Sequence, residues 1–67
     1  MKLIIQRDKD EEFREINTDS KTINELLEEI GINPVTHVVS LNGEVAVEDE
    51  ELKERDKLKI QRVVSGG

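Results

Sequence analysis

Hydrophobic and polar residues alternate in the first and last apolar segments of the chain. In residues 1–7, Leu3 and Ile5 fall on one side and Ile4 falls on the other, with polar neighbours. Residues 57–64 repeat the same alternation. A period of two residues is that of a β-strand with one buried face. The pattern therefore predicts that the chain begins and ends its folded body with a strand.

The spacing changes to that of a helix between Thr22 and Gly31. Thr22 followed by Glu25 matches a capping box, which satisfies backbone donors at a helix start. Gly31 suits the left-handed position just after a helix end, and Pro34 cannot continue the helix. Four aliphatic residues at i, i+3, i+4 and i+7 form one apolar stripe, namely Ile23, Leu26, Leu27 and Ile30. These features predict one amphipathic helix.

Three further strands are predicted, at residues 12–17, 37–41 and 44–47. Asn42-Gly43 separates the second and third of these and is a strong signal for a tight hairpin turn. The charged residues 48–56 then read as a connection that contains one apolar anchor and a single helical turn. We expect the anchor to be Leu52.

The order of elements predicts a two-layer α+β fold, with one helix on a mixed sheet of four to five strands. A single amphipathic helix must bury its stripe against one face of the sheet. Because the first and last strands have the cleanest apolar faces, we expect them to be neighbours at the sheet centre. We predict one domain at residues 1–64 and a mobile tail at residues 65–67, which ends in Gly66-Gly67.

Composition narrows the chemistry. The 67 residues include no cysteine and a single histidine, His37, which indicates neither a disulfide nor a metal site. The net charge of −6 disfavours direct contact with nucleic acid or anionic lipid and favours a partner with a basic surface. We expect a cytoplasmic protein, because the sequence shows no signal peptide or membrane span. His37 and the acidic clusters at residues 8–12 and 48–51 are interpreted as solvated surface groups.

Four segments of the chain resemble the β-grasp sulfur carriers and small ubiquitin-like modifiers. They are TINELLEEIGINP at residues 22–34, LNGE at 41–44, RDKLKI at 55–60 and VVSGG at 63–67. The chain is similar to the thiamine-pathway and molybdopterin-pathway carriers, to archaeal small modifiers and to tRNA-thiolation carriers. Many of these proteins have Gly-Asp before the last strand, where this chain has Arg55-Asp56.

The resemblance implies that the chain is a carrier and not an enzyme, with no cofactor of its own. An E1-like enzyme would use ATP to adenylate the carboxylate of Gly67, and a sulfur donor would convert it to a thiocarboxylate. The sulfur would pass to an accepting enzyme of thiamine, molybdopterin or tRNA thiolation. Gly66 and Ser65 would give access to the reacting carbon, because glycine lacks a Cβ. We expect Val63 and Val64, with the outward-facing Ile4, to contact the partner.

Two other functions remain open from the sequence. A modifier would join Gly67 to lysines of target proteins through isopeptide bonds, by way of the same adenylate. A non-covalent interaction module would have incidental glycines at its end. A chance pair of terminal glycines has a probability of about 0.5%, since glycine makes up about 7% of residues.

Overall fold

The computed structural model describes residues 1–63. Its strands are β1 (Lys2–Gln6), β2 (Arg14–Asn17), β3 (His37–Leu41), β4 (Glu44–Ala46) and β5 (Lys57–Arg62). The helix α1 spans Ile23–Glu29, and a 3₁₀ turn at Pro34–Thr36 leads into β3. The predicted order of two strands, a helix and further strands is confirmed.

The five strands form one mixed sheet in the order β2-β1-β5-β3-β4. The first and last strands, β1 and β5, are parallel neighbours, and Ile5 lies opposite Leu58. The pairs β1–β2, β3–β5 and β3–β4 are antiparallel. The predicted β-grasp fold and the central position of the two terminal strands are both confirmed.

The core lies between α1 and the face of the sheet that it covers. Leu26, Leu58 and Ile60 are fully buried, with 0% of their surface exposed. Leu52 also reaches this core at 8% exposure, as predicted for the anchor of the charged connection. The remaining buried aliphatic residues are Leu3, Ile5, Ile23, Leu27, Ile32 and Val39. Ile30, the last residue of the predicted stripe, is only partly buried and packs at the edge of the core.

Both ends of α1 follow the sequence signals. The Glu25 N–H donates to the Thr22 hydroxyl oxygen at 3.2 Å, and the Glu25 carboxylate accepts from the Lys21 N–H at 3.3 Å. The returning bond of the capping box is thus displaced by one residue. At the other end, Gly31 has a φ of 74°, and the Ile32 N–H donates to the Leu27 carbonyl at 2.8 Å. This is the hydrogen-bond pattern of a Schellman motif.

Several predictions about these elements need correction. The second strand begins at Arg14 and not at residue 12, because residues 11 and 12 form a bend. The strand predicted at residues 44–47 ends at Ala46, and the last strand ends at Arg62, with Val63 outside it. Residues 48–56 contain no helical turn; two turns and a bridge between Glu51 and Thr22 tie this connection to the helix start. The predicted boundary between residues 64 and 65 lies outside the described residues.

Candidate functional site

The face of the sheet opposite α1 carries a mixed set of polar and apolar side chains, and we call it the open face. Strand register defines its members, because every second side chain of a strand points away from the helix. Those members are Lys2, Ile4, Gln6, Glu15, Asn17, Val38, Ser40, Val45, Lys57, Lys59 and Gln61. Val63 follows Gln61 in the same alternation.

Four exposed valines lie on this face or just beyond the ends of its strands, and we call them the valine patch: Val38, Val45, Val47 and Val63. Their exposed fractions are 37%, 76%, 67% and 47%. Val38 lies opposite Gln61, and Val45 lies opposite Ser40. Grouped exposed apolar residues on a small protein mark an interaction surface more often than isolated ones do.

The valine patch is continuous with the chain that leads to Gly67. The Val63 N–H donates to the Thr36 carbonyl at 2.8 Å. The residue after β5 is therefore still hydrogen-bonded to the 3₁₀ turn that precedes β3. Val63, a predicted contact residue, is therefore held against the sheet at 47% exposure. The other predicted tail residues, Val64, Ser65, Gly66 and Gly67, lie outside the described residues.

The structure does not bring Ile4 close to Val63. Ile4 is a partly buried residue of the open face that lies opposite Lys57, at the start of β5. Val63 is six residues further along the chain, which corresponds to about 20 Å of strand. Ile4 and Val63 belong to the same face but do not touch each other, and their contact with one partner stays a prediction.

Phe13 covers another part of the open face. Its ring centroid lies 4.1 Å from the Lys57 ammonium nitrogen, a cation–π distance. The ring also borders a groove of about 510 Å³. The other residues that line this groove are Ser40, Asn42, Gly43, Lys57, Lys59 and Gln61.

The sequence pattern alone does not indicate that Phe13, Val38, Val45 and Val47 belong to the site. The alternation of residues 44–47 already separates Val45 and Val47 from Ala46. Only the pairing of Val39 with Ala46 shows that the small alanine points to the core and the valines point away from it. The sequence thus shows that Val45 and Ala46 point to opposite sides of the strand, but not which side faces the core.

His37 and the acidic clusters do not form a reactive site. The His37 Nδ1 lies 3.0 Å from the Asn33 carbonyl oxygen and 2.9 Å from the Thr36 hydroxyl, so local contacts occupy the partly buried ring. Within residues 1–63, no group of three or more histidine or acidic side chains is placed to hold a metal ion. No helix in that part of the chain is long and apolar enough to cross a membrane.

The geometry thus provides a surface for a partner, next to the strand that leads to the final residues. Three comparisons bear on what such a surface serves. The sequence profile of the ThiS family matches residues 5–67. The sulfur carrier protein TtuB of Thermus thermophilus is 35% identical over 48 residues, which cover 72% of this chain and 74% of TtuB. An uncharacterized protein of Archaeoglobus fulgidus is 34% identical over 58 residues, covering 87% of this chain and 85% of that protein.

Proposed function

The chain belongs to the ThiS family, and from that premise we propose that an E1-like enzyme adenylates Gly67 and that a sulfur donor converts it to a thiocarboxylate. The chain is a sulfur carrier protein and not itself an enzyme. Its partners in this proposal are the activating enzyme, the donor and a sulfur-accepting enzyme. We place these reactions in the cytoplasm.

The proposed reaction needs only the terminal carboxylate of the carrier and no catalytic side chain from it. A carboxylate oxygen of Gly67 attacks the α-phosphorus of ATP, and the bond to pyrophosphate breaks. Hydrosulfide released by the sulfur donor then attacks the acyl carbon; the bond from that carbon to the AMP oxygen breaks, AMP leaves, and loss of the S–H proton gives the thiocarboxylate. The carrier contributes an unhindered acyl carbon, since neither Gly66 nor Gly67 has a Cβ.

The observation that carries the proposal is the continuity of the open face with the chain that ends at Gly67. Val63, at the end of the central strand β5, is hydrogen-bonded to Thr36, and four residues follow it. Four residues can span at most about 14 Å, enough to enter a recessed nucleotide site. A partner that binds the valine patch would thus stand next to the origin of the reacting segment.

The sulfur acceptor is left open among the three classes that the sequence resemblance implies. TtuB is a sulfur carrier by its name, and the similarity extends that role to this chain. Thiamine thiazole, molybdopterin and 2-thiouridine in tRNA are the candidate destinations. Gene neighbourhood and in vitro transfer to each accepting system would choose among them.

Intact-mass analysis tests the proposal directly. The carrier is incubated with ATP, a sulfur source and the activating enzyme of the same organism. We expect the mass gain of one oxygen replaced by sulfur, and no gain in a matched variant that lacks Gly67. If the mass stays unchanged although the same enzyme preparation adenylates another carrier, the proposal is contradicted. Gly-Gly remnants on cellular lysines would instead support the modifier function.

A further inference from the structure

Charge is distributed unevenly between the open face and the rest of the molecule. The whole chain has a net charge of −6. On the strands of the open face, however, three charged residues are lysines and one is a glutamate: Lys2, Lys57, Lys59 and Glu15. Acidic residues are concentrated at residues 8–12, which lead into Phe13, at residues 48–51 and on the solvent side of α1. Near the groove, the Asp56 carboxylate accepts a hydrogen bond from the Asn42 amide at 3.1 Å.

The single acidic residue of this set is already paired. The Lys2 ammonium lies 3.1 Å from the Glu15 carboxylate at the outer edge of the sheet. Among the described residues, Lys57 and Lys59 have no carboxylate within ion-pair distance. Both are exposed, and both point from the central strand β5 into the groove beside Phe13.

The groove combines these two cations with an aromatic wall. Phe13 stands over Lys57 at 4.1 Å, and the Asn42-Gly43 turn closes one end of the groove. The side-chain amide of Gln61 and the hydroxyl of Ser40 add hydrogen-bonding groups along its length. Such a lining matches carboxylates that alternate with short or apolar side chains.

We propose that this groove binds an acidic segment of the enzyme that activates the carrier, a step that rests on the proposed function. Charge complementarity selects this occupant, because an acidic segment would supply the carboxylates that Lys57 and Lys59 lack. This occupant differs from the partner with a basic surface that the net charge of −6 predicts for the molecule as a whole. At physiological salt, charge effects decay over about 8 Å, so a bound segment responds chiefly to the groups that line the groove.

Zero-length carbodiimide coupling of the carrier to its activating enzyme tests the inference without ATP. This reagent joins an amine to a carboxylate that is in direct contact with it. We expect peptides that link Lys57 or Lys59 to aspartate or glutamate of the enzyme. Links found only between carboxylates of the carrier and lysines of the enzyme would overturn the inference, because they would show that the acidic clusters make the contact.

A charge-reversal pair provides the quantitative test. The double variant Lys57→Glu/Lys59→Glu is compared with Lys21→Glu/Lys53→Glu, which changes net charge equally at exposed lysines outside the open face. We expect the first to weaken enzyme binding about tenfold or more and the second about twofold or less, at low salt. Lys57→Arg/Lys59→Arg should restore binding, and circular dichroism should show all three folded.

The outcomes separate the inference from the proposed function. Equal weakening by the two reversal pairs would overturn the inference, as would sedimentation showing that the carrier buries this groove against a second copy of itself. Groove-dependent binding without any thiocarboxylate would keep the inference and overturn the proposed chemistry. Thiocarboxylate formation that both reversal pairs leave unchanged would keep the chemistry and overturn the inference.

Discussion

The two faces of the sheet carry similar aliphatic residues in opposite environments. On the face covered by α1, Leu58 and Ile60 are 0% exposed, whereas Val38 and Val45 on the open face are 37% and 76% exposed. Full burial of one such side chain contributes about 1.5–3 kcal/mol to folding. The covered face therefore accounts for stability, and the valines of the open face contribute little to it in the isolated chain.

Charge distinguishes the faces as clearly as burial does. Lys57 and Lys59 alternate along β5 with Leu58 and Ile60, so one strand serves a dry core on one side and a cationic groove on the other. A change on one side of β5 should leave the other side intact. Separate effects on stability and on partner binding are thus the test of this comparison.

The largest expected effect is loss of stability from the covered face. Leu58→Ala should destabilise the fold by about 2–5 kcal/mol, because it removes buried methyl groups and leaves a cavity. Val45→Ala should change stability by no more than about 0.5 kcal/mol, since the side chain is mostly exposed. Urea denaturation measures both.

A domain of this size has little stability to lose, so Leu58→Ala could unfold it outright. Ile60→Val is the milder companion and should cost about 0.5–1.5 kcal/mol with the fold retained. Equal destabilisation by Ile60→Val and Val45→Ala would contradict the division between the two faces.

The next effect concerns the open face. Val38→Ser combined with Val45→Ser should weaken binding to the activating enzyme by roughly tenfold, the loss of about 1.4 kcal/mol that apolar contacts at an interface typically supply. Val35→Ser is the matched control: Val35 is 85% exposed but lies on the 3₁₀ turn outside the open face. Titration calorimetry would measure all variants. A loss for Val35→Ser as large as that for the pair would show that the valine patch is not the contact surface.

The covered face could be predicted from sequence almost residue by residue. Period-two alternation places Leu3 and Ile5 inward, and the helical stripe places Leu26 and Leu27 against them, whatever the order of the strands. Each residue needs only its own element to decide that it is buried. Both helix ends could be predicted from nearby residues as well, because Thr22 and Gly31 form hydrogen bonds with residues only a few positions away.

The open face could not be predicted in the same way. Whether Val45 or Ala46 points inward depends on the pairing of β4 with β3, which no short stretch of sequence specifies. Phe13 and Lys57 are far apart in the sequence and come into contact only when the sheet has formed. The cationic groove depends on this contact. Net charge could not indicate the groove for the same reason, since it averages over all surfaces and does not show that Lys57 and Lys59 lie together.

A smaller effect is expected where β5 begins. Arg55 has a φ of 66°, in the left-handed region where related carriers commonly have glycine. A residue with a Cβ loses roughly 1–2 kcal/mol of folding free energy in this backbone conformation. Glycine avoids that strain, but its more flexible unfolded chain offsets part of the gain. Arg55→Gly should therefore stabilise the fold by about 0.5–1 kcal/mol, as measured by thermal unfolding.

Gly43→Ala is the opposite control for Arg55→Gly. Gly43 has a φ of 90° with open space around an added Cβ, so its cost is purely conformational and should be about 1 kcal/mol. Arg55 does not line the groove, so Arg55→Gly should leave enzyme binding unchanged; Gly43 does line it, so Gly43→Ala serves as a control for stability only. Destabilisation by Arg55→Gly would show that its side chain contributes more than the strained backbone costs.

The smallest expected effect arises at the rim of the covered face, where Glu29 of α1 accepts two hydroxyl hydrogen bonds. The Thr18 hydroxyl donates to its carboxylate at 2.6 Å and the Ser20 hydroxyl at 2.9 Å. The bond from Thr18, followed by that from Ser20, lowers the pKa of Glu29 below its ordinary value of 4.5. The stabilisation from this carboxylate is therefore complete above pH 4.5 and is lost as the pH falls through the lowered folded-state pKa.

We expect the stability difference between the wild type and Glu29→Gln to shrink as the pH is lowered from 7 through this range. Denaturation midpoints at a series of pH values measure it, with Glu28→Gln as control, since the Glu28 side chain makes no hydrogen bond in the described structure. A difference independent of pH would show that folding does not lower the pKa of Glu29. Because Glu29 lies on the helix side of the sheet, Glu29→Gln should leave enzyme binding at pH 7 unchanged, which separates the two faces once more.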